Sequence, residues 1–327
     1  MHAINFESFG KFVNELAESA DVFGPVKGKV TSFEKIKDAS ELNFDVLTEY
    51  GAKGILLKPG ELMYSYKNDM IIAPELLTAK QKNKVLLGLR MCDLAAIKKH
   101  DIVFKKQAPE DPYYAKRRDN TLLFGYHQKQ CGDEWCFCQS IDLDVSFDLM
   151  FYKRSDHYLV EIGSEEGKKV IDKFKKYFDE SDYVMTADDK RIDNQIKLDE
   201  KDISKIYENH EWQKLSDACI SCGACNVLCP TCYCFEFRDN IKPDGTFEKT
   251  REFSECQLSS FTKVAGGHKF RDKKLDKFKH RIYHQLQYFK EKTGKTLCVG
   301  CGRCIRHCPE RIDFVSGINK MNAEVKQ

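Results

Sequence analysis

The sequence has no run of apolar residues approaching the roughly 18 that a membrane span requires. Its start, MHAINFESFGKFVNEL, lacks the basic head and apolar core of a signal peptide. Charge of one sign is missing too: 53 basic against 51 acidic residues leave +2, too little for a global field that would draw in nucleic acid or an anionic membrane. Neither G-x-G-x-x-G nor G-x-x-x-x-G-K-[ST] occurs, which removes the familiar phosphate loops, and no G-x-S-x-G marks a serine nucleophile. The expectation is a soluble, cytoplasmic chain without a nucleic-acid or membrane partner. What the sequence has in quantity is cysteine, 15 in all. In a reducing compartment so many thiols read as metal ligands or redox groups rather than as a disulfide framework.

With 327 residues the chain can form two domains, and 42% apolar with 32% charged residues is ordinary globular usage, neither disordered nor fibrous. Phe6, Phe9, Phe12, Val13 and Leu16 recur at helical spacing, so the chain opens with an amphipathic helix. Val85–Leu89 reads as a strand followed by a helix with Asp93 at its N-cap; TLLFGY (121–126) and YLVEIG (158–163) are further strands, the latter followed by a helix through EEGKKVIDKFKKYF. The fold class predicted is α+β: an N-terminal α/β domain over 1–200, then a helical ferredoxin-like dicluster domain over 201–327. The polar stretch 186–200 serves as linker. From about Ile203 the chain is expected to be helical or irregular, with Leu275, Phe278, Ile282, Leu286 and Phe289 striping one helix that stops near Gly294. The opposite face, Lys273, Lys274, Lys277 and Arg281, reads as solvated. Asp111, Pro112, Tyr113 and Tyr114 read as a turn with aromatic packing.

One repeat stands out. Cys219, Cys222, Cys225 and Cys229 before Pro230, and Cys298, Cys301, Cys304 and Cys308 before Pro309, both spell C-x2-C-x2-C-x3-C-P. In this pattern three close thiolates hold one iron–sulfur cubane and the fourth reaches the neighbouring one. Two [4Fe–4S] clusters with crossed ligation are therefore expected: Cys219, Cys222, Cys225 and Cys308 for one, Cys298, Cys301, Cys304 and Cys229 for the other. Structural zinc sites also use four cysteines, but as two C-x-x-C pairs rather than a triplet plus one. Gly223 and Gly302, each following the second cysteine, leave room for backbone N–H groups to approach the sulfurs and raise the reduction potential.

Four more cysteines, Cys92, Cys131, Cys136 and Cys138, follow the strands ending at Leu89 and near Tyr126. If those strands are parallel, their carboxyl ends open on the same edge, where ligands commonly bind. A third [4Fe–4S] cluster on these four is one expectation; buried free thiols are the other. Cys232, Cys234 and Cys256 remain, too crowded against Cys229 for another four-ligand site, and read as thiols packed around the clusters. His268 reads as a surface or capping residue and His307 as a modulator of a cluster rather than a ligand.

GLRMCDLAAI, DPYYAKRRDN, WCFCQS, CPTCYCF, AGGHKFR and CVGCGRCIRHCPERIDF together resemble a family of iron–sulfur proteins that serve anaerobic sulfite reductases and, as beta subunits, soluble sulfhydrogenases. GGHKFR and CPERIDFVSGINK look closer to the sulfite reductase branch. The resemblance implies an electron-transfer subunit without its own substrate site, relaying electrons from a flavin-containing, NADH-oxidising subunit to a sirohaem catalytic subunit that reduces sulfite. A soluble hydrogenase is the alternative within the class; an iron–sulfur enzyme with its own substrate site, or an iron–sulfur sensor, are alternatives outside it. Where the family often reads T-S-M-G-T-G-P after C-F-C, this chain has Gln139, Ser140 and Ile141, which bears on the third ligand set.

Overall fold

Residues three and four apart close the first core. Phe9, Phe12, Val13 and Leu16 are buried on the Phe6–Ser19 helix, which begins where the Asn5 side chain accepts the Ser8 N–H. In a computed structural model describing residues 1–322, the chain divides into two compact units. The first comprises Met1–Leu57, Ala79–Glu134 and Leu143–Asn194; the second comprises Lys58–Thr78, Trp135–Asp142 and the chain from Gln195 onward.

The first unit is built on an eight-stranded sheet, ordered Asp179–Glu180, His2–Asn5, His157–Ile162, Leu149–Lys153, Thr121–His127, Lys84–Leu89, Asp21–Lys27 and Thr31–Lys35. The strands from Leu149–Lys153 to Asp21–Lys27 pair in parallel, and the remaining pairs are antiparallel. Val85, Leu86, Leu87 and Leu89 are all buried, the continuous apolar run that a parallel strand covered on both faces requires. Phe12 packs edge-on against Phe174 and Phe178, so the first helix and the chain after Glu165–Lys173 share one core.

The second unit carries a four-stranded antiparallel sheet, ordered Phe235–Ile241, Phe247–Phe253, Glu61–Lys67 and Met70–Ile72. Strand Glu61–Lys67 enters from the N-terminal half and is fixed by a buried ion pair between Glu61 and Arg251. The Lys274–Tyr283 helix continues through a π turn, His284–Tyr288, into Phe289–Thr293 and ends at Gly294 with φ 77°. Among the described residues no helix is long and apolar enough to cross a membrane.

Several expectations are corrected here. The region after Ile203 is not only helical or irregular: 235–253 is a hairpin closed at Asp244-Gly245, where the Lys242 N–H donates to the Thr246 carbonyl. Asp93 is not the N-cap but sits in the first turn, its carboxylate accepting the N–H of Arg90, the last extended residue after the strand. Asp111–Tyr114 is a helix start rather than a turn, because Asp111 accepts the Tyr113 and Tyr114 N–H groups and Pro112 occupies the first helical position. Residues 186–194 are not free linker, since the Asp193 N–H donates to the Lys129 carbonyl and ties the segment to the first unit. Lys277 and Arg281 are not solvated but buried. The apolar stripe Phe278, Ile282, Leu286 and Phe289 is core, as expected.

Candidate metal centre

The two cysteine runs fold into the same backbone. Cys219 and Cys298 each accept a hydrogen bond at 3.3 Å from the N–H two residues on, Ser221 and Gly300, both at positive φ (57° and 64°). Gly223 and Gly302, at φ 78° and 77°, then start the short helices Ala224–Val227 and Arg303–Arg306 that carry Cys225 and Cys304. Only glycine reaches this left-handed region without strain. Within each run the Gly carbonyl receives the N–H three residues on, from Asn226 at 2.8 Å and Ile305 at 2.9 Å. The wider C-x3-C gap then carries Cys229 and Cys308 past the helix.

All eight thiols, with Pro230 and Pro309, line one cavity in the second unit. Among the described residues no three His, Cys, Asp or Glu side chains lie close enough to hold a single metal ion. Eight thiols around a shared volume suit larger groups. Burial pushes the Cys225 thiol up to about 11 and the Cys301 thiol up to about 12, and raises the Cys304 thiol well above its ordinary value. Bare, these sulfurs would hold their protons at neutral pH; a cationic metal centre reverses that by binding thiolate.

A guanidinium lies among them. Arg281, 9% exposed, lines the same cavity, and its NH2 group donates to the Cys225 carbonyl at 3.0 Å. The thiols that bear on it electrostatically include Cys225 and Cys229 of the first run, Cys304 of the second and Cys232 outside both, and among the described residues its Nε has no hydrogen-bond partner. A buried cation with an open donor fits an anionic group in the cavity. Gln285 links the runs in a different way. Its carbonyl, in the π turn, receives the N–H groups of Leu297 and Cys298 at 2.8 and 2.9 Å, while its side chain accepts from Thr231 at 3.1 Å and donates to Cys232 Sγ at 3.4 Å.

Residues 218–312 match the family described as a 4Fe-4S dicluster domain. Across 97% of its length the chain is 31% identical to Sulfhydrogenase 2 subunit beta of Pyrococcus furiosus, of which it also covers 97%. The chain belongs to the iron–sulfur family of sulfhydrogenase beta subunits.

In this family member the other cysteines are distributed unevenly. Cys92, buried in the first turn of Met91–Phe104, and Cys131, whose N–H donates to the Asp193 carbonyl at 3.3 Å, belong to the first unit. Arg90 lies near both and stacks over Tyr126 at 4.7 Å. Lys84–Leu89 and Thr121–His127 are parallel, so both cysteines do follow the carboxyl ends of neighbouring strands. Cys136 and Cys138, both buried, belong to the second unit, where the Phe137 N–H donates to the Gly300 carbonyl at 2.8 Å.

Cys232 and Cys256 are buried; Cys234 is half-buried. Cys232 donates to Asn226 Oδ1 at 3.6 Å, and Asn226 Nδ2 donates to Cys256 Sγ at 3.3 Å. A hydrogen bond from the Cys234 thiol holds Cys256 below the ordinary cysteine range and raises Cys234. His268 is exposed against Phe270, and His307 accepts from Arg306 Nε at 3.0 Å. Arg281 and Gln285 carried no cysteine-like signal in the sequence; their polar side chains on a core helix were the only trace.

Proposed function

We propose that this chain is the electron-transfer subunit of a multi-subunit oxidoreductase of the sulfhydrogenase kind, without a substrate site of its own. The observation that carries the reading is the lining of one cavity by all eight cysteines of the two C-x2-C-x2-C-x3-C-P runs; the full-length likeness to a sulfhydrogenase beta subunit supports it. In this reading Cys219, Cys222, Cys225 and Cys308 hold one [4Fe–4S] cluster, and Cys298, Cys301, Cys304 and Cys229 hold the other. Bound clusters would supply one-electron carriers that change charge with little movement of their ligands. The chain's own part is to set their environment. The Ser221 and Gly300 N–H groups donate to the sulfurs of Cys219 and Cys298, and Arg281 places a cation beside thiols of both runs, which favours the reduced states.

Electrons enter from a flavin subunit that oxidises NADH, and leave to the catalytic subunit of a hydrogenase. In a second reading a sirohaem subunit reducing sulfite takes the hydrogenase's place; GGHKFR and CPERIDFVSGINK, at 266–271 and 308–320, are what favour it. Mixing the cluster-loaded chain with each set of candidate subunits and following NADH oxidation decides between the readings. Oxidation that requires protons as acceptor and evolves hydrogen supports the first; oxidation that requires sulfite supports the second; neither, with both partner sets active alone, overturns the relay.

A further inference from the structure

Cys232, Cys234 and Cys256 lie outside the two runs, and two of them are brought together by the hairpin. Cys234 immediately precedes the Phe235–Ile241 strand, and Cys256 follows the end of Phe247–Phe253. Phe235 pairs with Phe253, and the Ser254 N–H donates to the Cys234 carbonyl at 3.0 Å, so the register sets both cysteines at the same open end. The two thiols act on each other's ionisation, the Cys256 thiol being held down and the Cys234 thiol raised, and Cys256 is only 4% exposed.

A buried polar chain connects this pair to the second cluster's crossed ligand. Cys229 Sγ lies 3.2 Å from Thr231 Oγ1; Thr231 donates to Gln285 Oε1 at 3.1 Å; Gln285 Nε2 donates to Cys232; Cys232 donates to Asn226, and Asn226 to Cys256. Thr231, Gln285 and Asn226 are each at most 3% exposed. Simple insulation does not call for this arrangement, since apolar side chains would fill the space without the cost of burying three polar ones.

We propose that Cys234 and Cys256 form a redox-active dithiol that cycles through an intramolecular disulfide, a two-electron site next to the cysteine runs. It rests on the reading of those runs as cluster ligands, because bound clusters are its source of electrons. Reduction breaks the S–S bond: two electrons, arriving singly, and two protons from water leave a thiol on each residue. Oxidation returns both electrons and both protons and re-forms the bond. The pair thereby converts one-electron traffic into a two-electron, two-proton step.

The test uses the whole chain, purified without oxygen and poised with glutathione and glutathione disulfide over a range of ratios. After acid quenching, free thiols are blocked in denaturant and the peptides weighed. The expected result is a Cys234–Cys256 cross-link that appears along a two-electron curve, tenfold for each ~30 mV, and that vanishes in Cys256→Ser while iron content and the EPR signals stay unchanged. Both thiols free at every poise in fully iron-loaded protein, or a cross-link from Cys232 instead, overturns the dithiol. A pair that cycles in protein lacking iron overturns the cluster reading and leaves the dithiol standing without its electron source.

Discussion

The first cysteine run and the second share spacing, backbone angles and N–H to sulfur hydrogen bonds, but their surroundings differ. Cys222 is exposed, with Ile220 and Val227 exposed around it. In the second run Cys301, Gly302 and Arg303 are all buried, and the chain at 135–138 forms the wall against them. A Cβ on Gly223 would meet the side chain of Glu255; a Cβ on Gly302 would meet the backbone carbonyl carbon of Trp135 at 2.5 Å. The motif thus sets where the thiols point, while the rest of the fold sets how wet each site is. Burial and hydrogen bonding tune cluster potentials, so two sites with one motif need not be redox-equivalent.

The largest expected effect comes from testing the proposed crossed ligation. Cys304→Ser and Cys229→Ser should each remove the same cluster, roughly four irons per chain, and the same EPR signal, whereas Cys225→Ser should remove the other. Loss of different signals in Cys304→Ser and Cys229→Ser would show that each run keeps its own cluster.

The glycines sharpen the contrast next. Alanine at either position must adopt a left-handed backbone, costing roughly 1–2 kcal/mol. Gly302→Ala adds a collision with backbone, which cannot swing away as a glutamate can. Thermal unfolding of the loaded chain should therefore show a larger fall for Gly302→Ala than for Gly223→Ala; equal falls would mean the second run's wall is not rigid.

How much of this was legible beforehand differs between the elements. Eight ligand candidates could be read because an iron–sulfur motif is a local spacing, and the strands at 84–89 and 121–127 because apolar runs bounded by turn residues are local too. Arg281 could not: its place on a lysine-rich face looked solvated, and only the tertiary arrangement that folds that face over the thiols buries it. The entry of 58–78 and 135–142 into the second unit was equally hidden, since strand pairing such as Thr250 with Leu62 joins residues far apart in sequence. The hairpin at 235–253 could have been found, because Asp-Gly between alternating residues is a turn signal.

A smaller effect is expected at Arg281. Removing the cation from beside the thiols of both runs with Arg281→Met should make reduction harder, lowering midpoint potentials on the order of 60 mV, a tenfold step for a one-electron couple. Arg281→Lys should retain most of the potential. Spectroscopic redox titration reads both; unchanged potentials in Arg281→Met would reduce the residue to packing.

The smallest concerns pH. Burial, with the charges of Arg271 and His284, pushes His280 from its ordinary 6.5 down to about 4. As pH falls from about 6.5 towards 4, the unfolded chain takes a proton that the folded chain refuses, so stability present above that window is lost through it. Urea midpoints should fall over this interval, and His280→Gln should flatten the slope; an unaltered slope would place the sensitive group elsewhere.

Iron and acid-labile sulfide counted on the whole chain, kept free of oxygen throughout, decide whether the two cysteine runs hold clusters. About eight of each are expected from the two cysteine runs. Zinc in their place, or protein that folds normally without iron, would contradict it.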